Sequence, residues 1–171
     1  LIGAINATHN LANNEKIILA SHFDSHSVGP NTAQRILFGI LSEKFPEKLY
    51  WLQSTITLSR QDINGRPLTL EDSYRSRSLL FIGIGLYLFT DEIPINELLI
   101  PENGTISLNY PLTPSRASSL STRTTHPYVL NSIQQLINKI IGNIIITNPC
   151  SLQTKGEMVS DCLNQSVLQD T

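Results

Sequence analysis

The sequence predicts an α/β protein built on a doubly wound, mainly parallel sheet with helices on both faces. Short, nearly continuous apolar runs such as "KIILASH" (16–22) have the composition of strands buried on both faces. Helical patterns alternate with these runs along the chain, as βα units require. The 171 residues, 40% of them hydrophobic, suit one core and hence one domain over 1–171, with 101–126 as a long loop within it.

Each element has a local reason. Leu1, Ile2, Ile5 and Leu11, with Ala4, Ala7 and Ala12 between them, form an amphipathic helix closed by Asn13 and Asn14. Leu1 stands where an initiating Met is normal, so further chain is expected upstream. The strand 16–22 follows, and "FDSHSVGPN" leads into a helix from about Thr32 to Phe45, stopped by Pro46. "LYWLQSTITL" (49–58), rich in β-branched and aromatic residues, is the second strand. After a loop holding Gly65 and Pro67, Ser73 is placed to cap a helix running to about Thr90. Gly83 and Gly85 inside it are read as points of close helix-to-sheet packing rather than a nucleotide-binding GxG. "ELLIP" (97–101) is the third strand. Pro127 suits the first turn of a helix capped by Thr124 or Thr125 and ended by Gly142. "NIIIT" (143–147) is the fourth strand, and "TKGEMVSDCL" opens the last helix.

With 12 Lys and Arg against 14 Asp and Glu, a net charge of −2 leaves no broad basic face for nucleic acid. "LLFIGIGLYLF" (79–89) is too short to span a bilayer, so no membrane partner is expected. Cys150 and Cys162 have neither CxxC spacing nor a neighbouring His cluster, and are read as reduced thiols of a cytoplasmic protein. The sequons at Asn6, Asn103 and Asn164 then carry little weight. No GxSxG, HExxH or Walker lysine loop is present.

In doubly wound sheets ligands bind beyond the carboxyl ends of the strands. That places Ser21, His22, Asp24, Ser25 and His26, the loop 101–126, and "NPCSLQTKGE" at one end of the molecule. Both histidines read equally as surface loop residues, and without partners at fixed spacing a metal role is weak. The 101–126 loop is too long for a plain connection, and its varied composition, punctuated by Pro111 and Pro114, is that of a binding loop. It ends in "STRTTHP" (121–127), where free amides at a helix start and the Arg123 fork favour an anion. The plainer account has a threonine capping the helix, Arg123 solvated and His126 incidental.

Taken in order, "SYRSRSLLFIGIG", "PENGTISLNYPLTPSRASSLSTRTTHP" and "NPCSLQTKGEM" resemble the 7-cyano-7-deazaguanine synthase family of the queuosine pathway, and more closely its QueC-like branch in anti-phage defence islands. The resemblance covers nearly the whole chain. It implies the PP-loop ATP pyrophosphatase version of the fold, with ATP and magnesium as cofactors. It also implies activation of the carboxylate of 7-carboxy-7-deazaguanine as an acyl adenylate that a nitrogen nucleophile attacks. Ammonia would give a nitrile, and an amine on a partner protein would give an amide-linked deazaguanine. A homodimer is among the assemblies it allows.

The resemblance places Ser21, His22, Arg75, Arg77 and Lys155 toward the nucleotide, with Lys155 facing phosphate and acting with Arg123 in catalysis. Glu102, Asn103, Asn109, Arg116, Ser121, Thr122, Arg123 and His126 would form the substrate pocket, although this loop departs from the GYPDCR pattern of the queuosine enzyme. The family's SGGxDS phosphate loop with its first strand and its four-cysteine zinc site lie outside these 171 residues, and Cys162 is not mapped onto the latter. The segment alone is therefore expected to be unstable or inactive, with two strand edges unpaired. Two other readings are another PP-loop enzyme, for tRNA thiolation or amidation, and a non-catalytic nucleotide-binding subunit of a defence complex. A basic face or a catalytic cysteine pair would favour the first of them, and the sequence has neither.

Overall fold

The computed structural model describes residues 1–25, 27–57, 59–69, 77–89, 93–108 and 125–170. In chain order the elements are α1 (Ile2–His9), β1 (Ile17–His22), α2 (Val28–Lys44), β2 (Leu49–Ser54), α3 (Arg77–Leu86), β3 (Glu97–Leu99), α4 (Gly104–Ser107), α5 (Pro127–Ile140), β4 (Ile145–Thr147), α6 (Lys155–Ser160) and α7 (Gln165–Gln169). The chain is mixed α/β, with helices alternating with strands.

The strands do not join one open sheet, as the sequence pattern predicts, but form two parallel pairs. In one pair β1 lies beside β2, from Ile17 opposite Leu49 to His22 opposite Ser54. In the other β3 lies beside β4, from Glu97 opposite Ile145 to Leu99 opposite Thr147. The physical reason lies in the ladder bonds. Ile17 N–H donates to the Lys48 carbonyl and Phe23 N–H to that of Ser54, so the odd residues of β1 face β2. The main-chain groups of Ile18, Ala20 and His22 point to the other edge and have no partner among the described residues. Ile145 N–H donates to Asn96 and Ile100 N–H to Thr147, which leaves Glu97 and Leu99 on an open edge of β3 in the same way.

The outer edge of β4 is closed by side chains instead. Ile146 N–H donates to Gln134 Oε1 at 2.9 Å and Ile144 N–H to Asn138 Oδ1 at 3.0 Å, both from α5. These amides satisfy the β4 donors that a further strand would otherwise have to meet.

Ile5 of α1, Leu41 of α2, Leu49 of β2, Cys162 and Val167 of α7 form the core cluster, with Ile17 and Leu19 of β1 packed against it. These two alternate residues share one strand face, as a period of two requires. Helix α3 packs on β1, and it meets β3 at Gly85, where an added Cβ would run into Leu98. Gly83 faces open space, so close packing accounts for only one of the two glycines.

Helix α2 starts at Val28, earlier than the sequence pattern suggests, because Pro30 falls in its first turn where no intrahelical N–H is needed. The expected loop after β2 contains a small hairpin. Asp62 Oδ1 accepts the Asn64 and Arg66 amides, both at 2.8 Å, and Gln61 bridges Pro67. The three sequon asparagines are engaged: Asn6 Oδ1 accepts Leu163 N–H, Asn103 caps α4 and Asn164 caps α7. Both cysteines are free and buried. Among the described residues no helix is long and apolar enough to cross a membrane.

Candidate functional site

The loops leaving β3 and β4 lie directly on one another. Gly104 N–H donates to the Gln153 carbonyl at 2.8 Å, and a Cβ at Gly104 would run into the Ser151 carbonyl. A residue without a side chain is what lets the two backbones approach so closely. Asn103, 7% exposed, caps α4 by accepting Ile106 N–H at 3.0 Å.

A buried polar chain ties a third segment to this junction. Asn148 Oδ1 accepts Cys150 N–H at 3.0 Å, while its Nδ2 makes a long donation of 3.5 Å to Ser107 Oγ. Ser107, 1% exposed, donates in turn to the Thr125 carbonyl at 2.7 Å. Thr125 is where the long loop rejoins the described chain, so this chain of bonds anchors the loop's return beside the ends of β3 and β4.

Lys155 is held at the first position of α6 by a capping box. Thr154 Oγ1 accepts Glu157 N–H at 3.3 Å and Glu157 Oε2 accepts Thr154 N–H at 2.7 Å. The amide bond from Thr154, helped by its side chain, holds the Glu157 carboxyl below its usual range. That carboxylate is therefore committed to the cap.

Between the start of α1, the exit of β3 and α6 lies a cleft of about 230 Å³. Ile2, Pro101, Met158 and Leu168 give it apolar walls, and Glu102, Asn103 and Lys155 add the polar groups. Gly3 lets α1 sit against the Pro101 ring, where a Cβ would collide. Burial pushes the Glu102 carboxyl above its usual 4.5, opposed in part by a hydrogen bond from the Asn103 backbone. Burial also pushes the Cys150 thiol up, and the nearby Glu102 charge adds to that. Among the described residues neither Glu102 nor Lys155 is in an ion pair; the described ion pair is Lys44 with Asp170 at 3.2 Å.

Glu102, Asn103 and Lys155 thus meet from two segments far apart in sequence. The other expected site residues fall elsewhere. Ser21 Oγ accepts Trp51 Nε1–H at 2.8 Å, and His22 Nε2 lies 3.1 Å from the Ile56 carbonyl and 3.2 Å from its amide, so both fasten the end of β1 to β2 and its exit. His126 Nδ1 accepts Tyr128 N–H at 3.2 Å and caps α5, the role expected of Thr124 or Thr125. Thr125 is instead turned inward, 4% exposed. His26, Arg75, Asn109, Arg116, Ser121, Thr122, Arg123 and Thr124 lie outside the described residues, as does the side chain of Arg77.

The apolar walls and Cys150 beside Glu102 were not singled out by sequence reasoning. For Ile2 and Met158 the only signal was helical periodicity, which marks a buried face without naming what it faces. Among the described residues no three His, Cys, Asp or Glu side chains are grouped to hold a metal ion. No family model, no curated protein and no solved structure matches the chain.

Proposed function

We propose that this chain forms the deazapurine-binding part of an ATP-dependent enzyme that joins a 7-deazaguanine carboxylate to nitrogen, as the resemblance to 7-cyano-7-deazaguanine synthases implies. The observation that carries this reading is the convergence of Glu102, Asn103 and Lys155 in one cleft of about 230 Å³. Drug-sized ligands occupy roughly 300–1,000 Å³. The cleft therefore suits a bicyclic base rather than a whole nucleotide.

In this reading the apolar walls flank the ring, Glu102 meets its polar edge, and the exposed Lys155 stabilises negative charge at the cleft mouth. Two parallel strand pairs, each with an open edge, are what a doubly wound sheet leaves when its middle strand is set aside, and this supports the fold part of the reading. ATP with magnesium would supply adenylation of the carboxylate. The described residues do not fit a triphosphate, since Lys155 is the cleft's single side-chain cation, and no step is derived through the nucleotide.

The test is incubation of the protein, in the full length its gene encodes, with ATP and 7-carboxy-7-deazaguanine. The expected result is release of AMP and pyrophosphate that depends on the heterocycle. Lys155→Ala should lower kcat/KM by about 10²-fold, the scale of one lost electrostatic donor. No release, or release indifferent to the heterocycle, overturns the reading.

A further inference from the structure

The cleft holds two opposite charges that do not neutralise each other. Glu102 is partly buried on the β3 side, and Lys155 is exposed on α6, yet no ion pair joins them. A carboxylate withdrawn from water needs donors, because an unmet buried acceptor carries the full desolvation penalty. The Asn103 backbone supplies one. The Asn103 side-chain oxygen is committed to Ile106 N–H and accepts there rather than in the cleft. Glu102 is thus left as the acceptor that a ligand can satisfy, and Lys155 as the cation that a ligand can neutralise.

We infer that the cleft reads its ligand from both ends: Glu102 accepts paired hydrogen bonds from an N–H/NH₂ edge, and Lys155 meets a carboxylate at the opposite end of the same planar ring. The inference rests on the proposed deazaguanine reading for the identity of the ring. A carboxylate's two oxygens match a planar pair of parallel donors, as they do a guanidinium fork. A 2-amino-4-oxo ring offers such a pair from its ring N–H and exocyclic amine, and a carboxylate on the five-membered ring projects away from them. The volume of about 230 Å³ admits a bicycle of that kind, and the flat pyrrolidine of Pro101 with Met158 and Leu168 provides apolar surface for it. Burial of the Glu102 carboxyl raises its pKa, so a donor edge that binds the ionised form should bind less well as pH falls toward the carboxylate range.

The experiment is equilibrium binding to the full-length protein by calorimetry, without ATP. The probes are 7-carboxy-7-deazaguanine, its analogue lacking the 2-amino group, and 7-deazaguanine lacking the carboxylate. The protein should prefer the parent to the amino-deleted analogue by about tenfold or more, since one unpaired acceptor costs roughly 1–3 kcal/mol. Glu102→Gln should abolish that preference and keep the preference for the carboxylate, and Lys155→Ala should do the reverse. Equal binding of parent and amino-deleted analogue, or an unchanged preference in Glu102→Gln, overturns the inference while leaving the deazaguanine reading standing. Binding of none of the three overturns both.

Discussion

Glu102 shows how a binding group is held against the interest of stability. Its pKa in the folded chain is raised by burial above 4.5, while in the unfolded chain it lies near the ordinary value. The folded state thus favours the protonated acid. The stability this confers is full below the unfolded pKa and is lost as pH rises through the folded one. Glu102→Gln removes the term and should raise the unfolding midpoint at pH 8 but not at pH 4. The gain should stay below about 1 kcal/mol, because a half-exposed carboxyl remains screened by water. Melting curves of both proteins at the two pH values check this, and an equal gain at both would mean that charge is not the cause. Two glycines supply a sharper contrast. Gly104→Ala forces a Cβ into the Ser151 backbone and should cost about 1–3 kcal/mol. Gly83→Ala, in the interior of α3 with nothing within 4 Å, should instead stabilise by roughly 0.5–1 kcal/mol. Urea titrations of the two variants should shift in opposite directions.

At the scale of elements, the junction of three segments depends on one hydroxyl. Ser107→Ala leaves the buried Thr125 carbonyl and the Asn148 amide without their partner, at a cost of about 1–3 kcal/mol if neither finds water. Reduced amide protection around Thr125 would accompany the loss, whereas an unchanged denaturant midpoint would mean that water replaces the hydroxyl. The same junction shows what the sequence makes legible. α5 was readable from end to end because Pro127 and Gly142 punctuate it, and β1 because its apolar run is unbroken. Helices α4 and α7 were not, since spans of 4 and 5 residues are too short to display a helical period. His126 escaped as a cap because a ring nitrogen is an uncommon substitute for a hydroxyl or carboxamide at that position. Glu102, Asn103 and Lys155 could be singled out because each follows a strand's carboxyl end. Their convergence depends on how β3 and β4 pair, and periodicity says that a strand exists without saying which strand it meets.

For the whole molecule, the pairing leaves the open edges of β1 and β3 beside a good deal of uncovered apolar surface. Ile36 of α2, Tyr87 after α3, and Ile140 and Ile145 around β4 are 57%, 83%, 69% and 55% exposed. Unpaired parallel edges and exposed apolar side chains both favour association between copies of the chain. Sedimentation of these 171 residues should therefore show an average mass that rises with concentration. Ala20 provides a way to separate the edge from the surface. It is exposed on β1, belongs to the part of that strand whose main-chain groups lack a partner, and stands outside the core cluster. Ala20→Lys places a charge on that edge strand without removing a core contact, so it should reduce the rise in mass and leave the unfolding midpoint in dilute solution within about 0.5 kcal/mol of the parent, as surface substitutions do. Hydrogen exchange gives the matching readout. The Leu19 and Ser21 amides, which face β2, should exchange slowly, and those of Ile18 and Ala20 should exchange quickly in dilute solution and slow as concentration rises. A mass that rises as before in Ala20→Lys, with no slowing at Ile18, would assign the association to the apolar surface rather than to the open edge.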